Sequence, residues 1–325
     1  LKPGVIRGVE SNGMLCSERE LELSDDHTGI IDLPEDAPLG ERFIDWKGLN
    51  DPVIHIKITP NRPDALGVRG LARDLAARGL GRLKPLDIAP VPGTFKSPIT
   101  VTLAPDVRDR ACPHFTGRLI RGVRNGPSPA WLQQRLTAIG LRPISVLVDI
   151  TNLFTFDLNR PLHVFDADRL TGGITVRQAR AGETILTLDG KGYELAPDIT
   201  VVADEARPQA LGGLKGGEAT GSSEATVNVF VESAWFDPIV TAATGRALRI
   251  HSDARYRFER GVDPAFTLPG LELATRMVLE LCGGEASDVV VDGAVPDTSR
   301  AYRLDTRRAG SLVGMEIADT EQRAT

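Results

Sequence analysis

Four prolines and one glycine fall between Lys84 and Pro98, and no helix or central strand can run through such a stretch. The chain is therefore expected to divide there. At 325 residues it has room for two or three domains, and one hydrophobic core is not expected to organise all of it. A hydrophobic content of 41% and a charged content of 25% are ordinary for a globular chain. The net charge of −6 excludes a uniformly basic nucleic-acid binder, so any RNA contact must come from local clustering.

Cys16, Cys112 and Cys282 lie far apart with no C-x-x-C pair, which excludes a cysteine-based zinc site and a dense disulfide framework and suits a reducing compartment. The five histidines His27, His55, His114, His163 and His251 include no i,i+4 pair, so no helical metal site is expected. No apolar run reaches the ~20 residues of a membrane span. Leu1 reads as an internal start, and a cytoplasmic location is the default expectation.

Short β elements with turns are expected over the first 50 residues: a strand at 4–10, a turn at Ser11-Asn12-Gly13, and the second half of a small barrel. A strand is expected at Val53–Ile58. Asp64 would then cap a helix with Val68, Leu71, Ala72 and Leu75 inward, ending at Arg78-Gly79. Beyond the proline-rich stretch, strands are expected at 99–103 and 115–123. The next helix has Ser128 as N-cap, Pro129 at its first position, and Trp131, Leu132, Leu136 and Ile139 inward. The β-branched run at Val148-Asp149-Ile150-Thr151-Asn152 reads as strand followed by a turn. A hairpin turning at Asp189–Gly192, strands at 199–203 and 227–232, and helices near 238–249 and 269–282 complete the pattern. Thr306 would cap a last short helix ending at Gly314, which reads as the start of a further domain. This irregular alternation favours α+β over a doubly wound sheet.

His163 is either a half-buried structural histidine or, beside Thr151 and Asn152, a group that orients a water or a carbonyl. Alternation along Val227–Glu232 puts Glu232 on one face with Asn228 and Phe230. There it is either a solvated strand end or a carboxylate held for a ligand hydroxyl. The glycines at 212–217 match neither a Walker loop nor G-x-G-x-x-G; they either let backbone approach a ligand or serve a loop with positive φ. Five arginines between Arg246 and Arg260 form either a solvated face or, with His251, Tyr256 and Phe258, a contact for phosphate or adenosine. With no Ser-His-Asp pattern and no G-x-S-x-G, any hydrolysis is expected to proceed by positioned water.

Three runs, in order, are more specific: Ile58-Thr59-Pro60-Asn61-Arg62-Pro63-Asp64; Asp149-Ile150-Thr151-Asn152 leading to Pro161-Leu162-His163-Val164-Phe165-Asp166; and Arg257-Phe258-Glu259-Arg260-Gly261-Val262-Asp263-Pro264. On these the chain resembles the bacterial phenylalanyl-tRNA synthetase β subunit, lacking both ends. The resemblance implies an α+β multidomain chain. Residues 1–50 would be the C-terminal part of an OB-type tRNA-binding domain, and 51–98 the remainder of an N-terminal α+β domain with a linker. Residues 99–300 would be an editing domain, and 301–325 the start of a truncated winged-helix-like domain. It implies a phenylalanine–tRNA ligase that works as an α2β2 assembly with an α subunit and tRNA(Phe). ATP, Mg²⁺ and the aminoacylation site would lie outside this chain, and no metal would be bound by it. The chain itself would hydrolyse mischarged tyrosyl-tRNA, because a phenylalanine pocket cannot strongly reject one added hydroxyl. The alternative is a non-catalytic tRNA-binding scaffold. Carried over by position, His163, Thr151 and Asn152 would be catalytic. Glu232 would accept the phenolic hydroxyl, Gly213 and Ala254 would shape the pocket, and Pro161 would fix the His163 loop. The chain departs from the family at Arg255-Tyr256, where Ser-His is frequent, and at Leu211, where Met is common.

Overall fold

A computed structural model describes residues 3–24 and 26–324. The chain forms two compact units, 1–54 and 55–325.

In the first unit, β1 (Gly4–Ile6) and β2 (Val9–Ser11) pair antiparallel across Arg7-Gly8, and α1 (Phe43–Trp46) is a single turn. Arg7 and Gly8 both have positive φ, 55° and 82°, as a two-residue hairpin loop demands. The turn therefore lies at Arg7-Gly8, not at Ser11–Gly13. This hairpin stands in place of the expected run of barrel strands among the described residues. Val5, Val9 and Leu15 are exposed there.

The strand expected at Val53–Ile58 does not form: no neighbour pairs with it, and Ile54 and Ile56 are exposed. A 3₁₀ turn at Pro63–Ala65 leads to α2 (Val68–Ala77), whose N-cap is Gly67. Asp64 is drawn away from capping by Arg62 (2.9 Å) and Arg73 (2.5 Å). Val68 and Leu75 face outward, and the contact face is built on Gly70, where an added Cβ would strike the Asp64 carbonyl at 2.0 Å.

The remaining elements are β3 (Val101–Leu103), α3 (Pro105–Arg108), β4 (His114–Arg121), α4 (Ala130–Ala138), α5 (Val146–Leu158), β5 (His163–Asp166), β6 (Ile174–Gln178), β7 (Thr184–Leu186), β8 (Gly192–Glu194), β9 (Thr200–Ala203), β10 (Pro208–Leu211), β11 (Lys215–Gly216), β12 (Asn228–Trp235), α6 (Pro238–Ala247), α7 (Asp253–Phe258), α8 (Thr267–Cys282), β13 (Glu285–Ala286), β14 (Val290–Gly293), α9 (Thr306–Val313) and α10 (Asp319–Ala324). One sheet runs β11-β10-β9-β6-β3, and a second runs β13-β4-β12-β5 with β14 also on β4. Hairpin β7–β8 is a separate two-stranded sheet joined to the edge of the first by an antiparallel bridge between Thr187 and Gly217. The architecture is α+β, as expected.

Alternation along β12 sets the layers. Phe230 joins Phe115 and Phe165 in a core shared with residues of the first sheet, such as Val176 and Val202. Val229 and Val231 face the other way, onto α4, α5 and α8 through Leu132, Ile150 and Leu271. Helix α5 corrects the strand reading of Val148–Asn152. Val146, Ile150, Leu153 and Phe154 recur at i, i+4, i+7 and i+8 and are all buried, which is the spacing of a helix face. In α4, Leu132 and Leu136 are inward but Trp131 and Ile139 are exposed. Pro129 is its N-cap, because the Ser128 hydroxyl donates to buried Asp149 at 2.6 Å. Asp305, not Thr306, caps α9.

Candidate functional site

β5 and β12 pair antiparallel with Glu232 opposite His163. Directly opposed residues point to the same face, with Cβ atoms roughly 4.5–5.5 Å apart. Both therefore project into the space between the two sheets. A cleft of about 90 Å³ opens there, with Pro161, His163, Gly213, Glu232 and Ala254 in its wall. These five are the pocket residues expected from sequence, apart from the two on α5, and they converge from four separate segments of chain.

Glu232 is not a solvated strand end. β12 continues past it to Trp235, and the residue is only 6% exposed. Its Oε2 has no hydrogen-bond partner, and burial pushes its carboxyl up to about 8. The His163 ring packs edge-on against Phe165 at 4.3 Å between centroids, and its Nε2 is buried without a partner. Burial lowers its imidazole to about 4. Near neutral pH the cleft thus presents a protonated carboxyl group and a neutral imidazole, two groups able both to donate and to accept. It is wide enough for a water or a ligand hydroxyl to satisfy them. An aromatic ring needs more, since a cavity of roughly 150 Å³ is what holds benzene, so the walls must relax on entry.

The glycine-rich segment is the turn of hairpin β10–β11. Only Gly213 within it has positive φ, +70°, and its backbone lies against Phe236. Gly216 serves the site differently, since an added Cβ would fall 2.2 Å from His163 Cε1. The bare backbone there leaves space for the imidazole.

Thr151 and Asn152 do not line the cleft. They sit on α5; the Thr151 hydroxyl donates to the Val148 carbonyl at 2.7 Å, bonded within its own helix. The arginine segment is not a free phosphate patch either. Arg255 is buried, pairs with Glu259 at 2.9 Å and donates to the Gly245 and Ile250 carbonyls. Arg257 is buried over the Phe156 ring at 4.3 Å, and Arg260 lies 3.7 Å over Tyr256. Arg246, Arg249 and His251 remain exposed. On α7, Ala254 and Phe258 share the face toward the cleft, so Tyr256, two residues from each, points away.

Sequence reasoning missed Lys215, Phe236 and Phe258 as wall residues. The i,i+4 spacing of Ala254 and Phe258 was a readable signal for the last.

A family described as the B3/4 domain matches residues 111–283, and one described as a putative tRNA binding domain matches residues 1–42. The phenylalanine–tRNA ligase beta subunit of Cereibacter sphaeroides is 70% identical over 325 residues, 100% of this chain and 40% of that protein. The corresponding subunit of Ruegeria pomeroyi is 63% identical over 330 residues, 100% of this chain and 41% of that one. The chain thus spans about 40% of the length of these curated relatives. Among solved structures, an N-terminal fragment of the phenylalanyl-tRNA synthetase beta-subunit from Pyrococcus horikoshii is 17% identical with a TM-score of 0.38, covering 81% of this chain and 72% of that one.

Proposed function

Because this chain belongs to the B3/4-domain family and matches phenylalanine–tRNA ligase beta subunits along its whole length, we propose that its cleft hydrolyses tyrosine mischarged onto tRNA(Phe). The observation that carries this reading is the opposition of Glu232 and His163 across two paired strands. Both line one cleft, and each has a buried polar atom lacking a protein partner.

A phenol meeting Glu232 recovers the hydrogen bond that the buried carboxyl lacks, whereas a phenyl ring leaves it unsatisfied at about 1–3 kcal/mol. Such a site selects for the hydroxyl that a hydrophobic pocket tolerates. At the other end of the substrate, neutral His163 would hold a water against the ester carbonyl. Water oxygen bonds to the carbonyl carbon, the ester C–O bond breaks, and the ribose oxygen leaves with a proton supplied by the attacking water. Thr151 and Asn152, on α5 and outside the cleft wall, take no part in this step. Within the relatives' longer subunit, the chain would work beside an α subunit that carries phenylalanine, ATP and Mg²⁺, in an α2β2 assembly. The tRNA-binding match at 1–42 supports tRNA as the partner.

The test is deacylation of tyrosyl- and phenylalanyl-tRNA(Phe) by the chain, with and without α subunit. Glu232→Ala is expected to abolish the preference for the tyrosyl ester, and His163→Ala to remove clearance of both. Wild-type chain inactive in both settings would leave the scaffold reading in its place.

A further inference from the structure

β5 is the outer strand of the second sheet, with β12 one strand in, and β11 is the outer strand of the first. Gly216 stands over the His163 ring, so these two outer strands face each other. Past β11 comes the turn of hairpin β7–β8, fastened to it by the Leu188 amide, which donates to the Gly216 carbonyl at 3.1 Å, and by the Thr187–Gly217 bridge. Leu188 is not in the cleft wall; its side chain stands just beyond Gly216. Its Cδ1 is 3.1 Å from the point where a Gly216 Cβ would be, and His163 Nε2 is 2.8 Å from that same point. Its Cδ2 falls 2.8 Å from the corresponding point on Gly221, so two bare glycines give the leucine its room. Even so, the residue is 55% exposed. Register turns Lys215 to the opposite face of β11, where its ammonium pairs with Asp189 at 2.8 Å. The surface offered beside the imidazole on this side is therefore apolar.

These positions set a direction. A tyrosyl ester with its phenol on Glu232, one strand inward of His163, carries its leaving nucleotide the other way, outward past the imidazole. Leu188 is the side chain that stands there, half in water and within reach of the Nε2 edge of the ring. Resting on the hydrolase reading above, we propose that Leu188 is a binding residue for the terminal nucleoside of the aminoacylated RNA, its methyl groups packing against the flat face of the base. The contact removes apolar surface of both partners from water. It holds the far end of the ester without placing a charge next to His163.

The test is calorimetric titration of the 325-residue chain with two ligands that cannot be hydrolysed as esters. One is the 3′-tyrosylamide of 3′-amino-3′-deoxyadenosine, which carries the nucleoside; the other is tyrosine amide, which lacks it. Leu188→Ala is expected to weaken the first about 5–10-fold, the effect of losing part of one leucine's burial, and to leave the second unchanged. Leu188→Met is expected to keep both affinities. A purely structural leucine predicts that Leu188→Ala weakens both ligands together, and that result overturns the proposal. So does a wild-type chain that fails to bind the nucleoside ligand, or a Leu188→Ala chain that binds it unchanged. Should tyrosine amide bind too weakly to measure, the Leu188 methyl NMR signals, identified by their loss in Leu188→Met, decide instead. Shifts on adding adenosine support the contact, and stationary signals refute it. No readout here needs hydrolysis: Leu188-dependent binding by a chain that does not deacylate tyrosyl-tRNA(Phe) would remove the hydrolase reading and leave the nucleoside contact in place.

Discussion

Glu232 and His163 are displaced from their ordinary protonation ranges in opposite senses by the same cause, burial without a partner. The consequences for stability have opposite signs. Glu232 keeps its proton in the fold up to about 8 while the unfolded chain loses it near 4.5. Its contribution is complete below that lower value and disappears as pH rises toward 8. His163 is neutral in the fold down to about 4 and would charge near 6.5 when unfolded, so its contribution is complete above 6.5 and is lost as pH falls toward 4. Between about 4.5 and 6.5 the two slopes oppose each other; between 6.5 and 8 only the glutamate slope remains. Each unit of displacement is worth about 1.4 kcal/mol, so the loss over that upper interval is on the order of 2 kcal/mol. Glu232→Gln keeps the shape and removes the titration. Thermal melts at about pH 6.5 and pH 8 should show wild type losing several degrees relative to Glu232→Gln, and parallel pH profiles would refute a protonated Glu232.

At the scale of elements, two glycines fix where these side chains can stand. Gly216 on β11 lies under the imidazole, and an added methyl 2.2 Å from His163 Cε1 must push the ring aside. β11 is a two-residue strand at the end of its sheet, so it can yield; Gly216→Ala is expected to lose most deacylation while shifting the melting temperature little. Gly117 on β4 pairs with Glu232 across the sheet and lies beneath the Phe230 ring, where a Cβ would approach Cζ to 2.2 Å. This strand is central and cannot move; Gly117→Val is expected to cost about 1–3 kcal/mol in urea unfolding, as overpacking does. The same elements show what could be read from sequence. The alternation of Val227–Glu232 gave the right face for the carboxylate, because a strand's period is short enough to register in six residues. Helix α5 was misread because five residues, Val148–Asn152, are too few to reveal a 3.6-residue period, and its β-branched members mimic a strand; the longer window from Val146 to Phe154 carries the helical spacing. Of the cleft, the five wall residues named by resemblance meet, whereas Phe236, just past the end of β12, escaped notice because nothing in its local spacing marks it as a wall residue.

Over the second unit as a whole, the proline-rich stretch 84–98 shows why backbone without regular structure need not be loose. Prolines deny it a ladder beyond one isolated bridge, and its polar groups are satisfied instead by side chains and backbone of distant elements. Arg276 of α8 donates to the Asp87 and Ala89 carbonyls, and the Thr94 amide donates to the Ala286 carbonyl. The centre of this arrangement is a buried ion pair. Arg118 on β4 and Glu272 on α8 meet at 3.0 Å with side chains 3% and 8% exposed. Arg118 also donates to the Val91 carbonyl at 2.9 Å, and the Val91 amide donates back to Glu272 at 2.8 Å. One closed set of bonds thus joins a central strand, the longest helix and the irregular segment. Removing one partner strands a charge in a dry site, which typically costs about 3–5 kcal/mol, whereas replacing both with apolar side chains of similar volume is often neutral or better. Here the apolar pair would still abandon the Val91 amide and carbonyl, so recovery should be incomplete. Glu272→Ala is expected to lower unfolding free energy by about 3–5 kcal/mol, and Arg118→Met with Glu272→Met to regain most of it but not all. Protease cleavage between Lys84 and Pro98 should accelerate in both variants, since both leave the Val91 amide without its acceptor. Full stability in the double variant with unchanged cleavage would mean the segment is held by its other contacts alone.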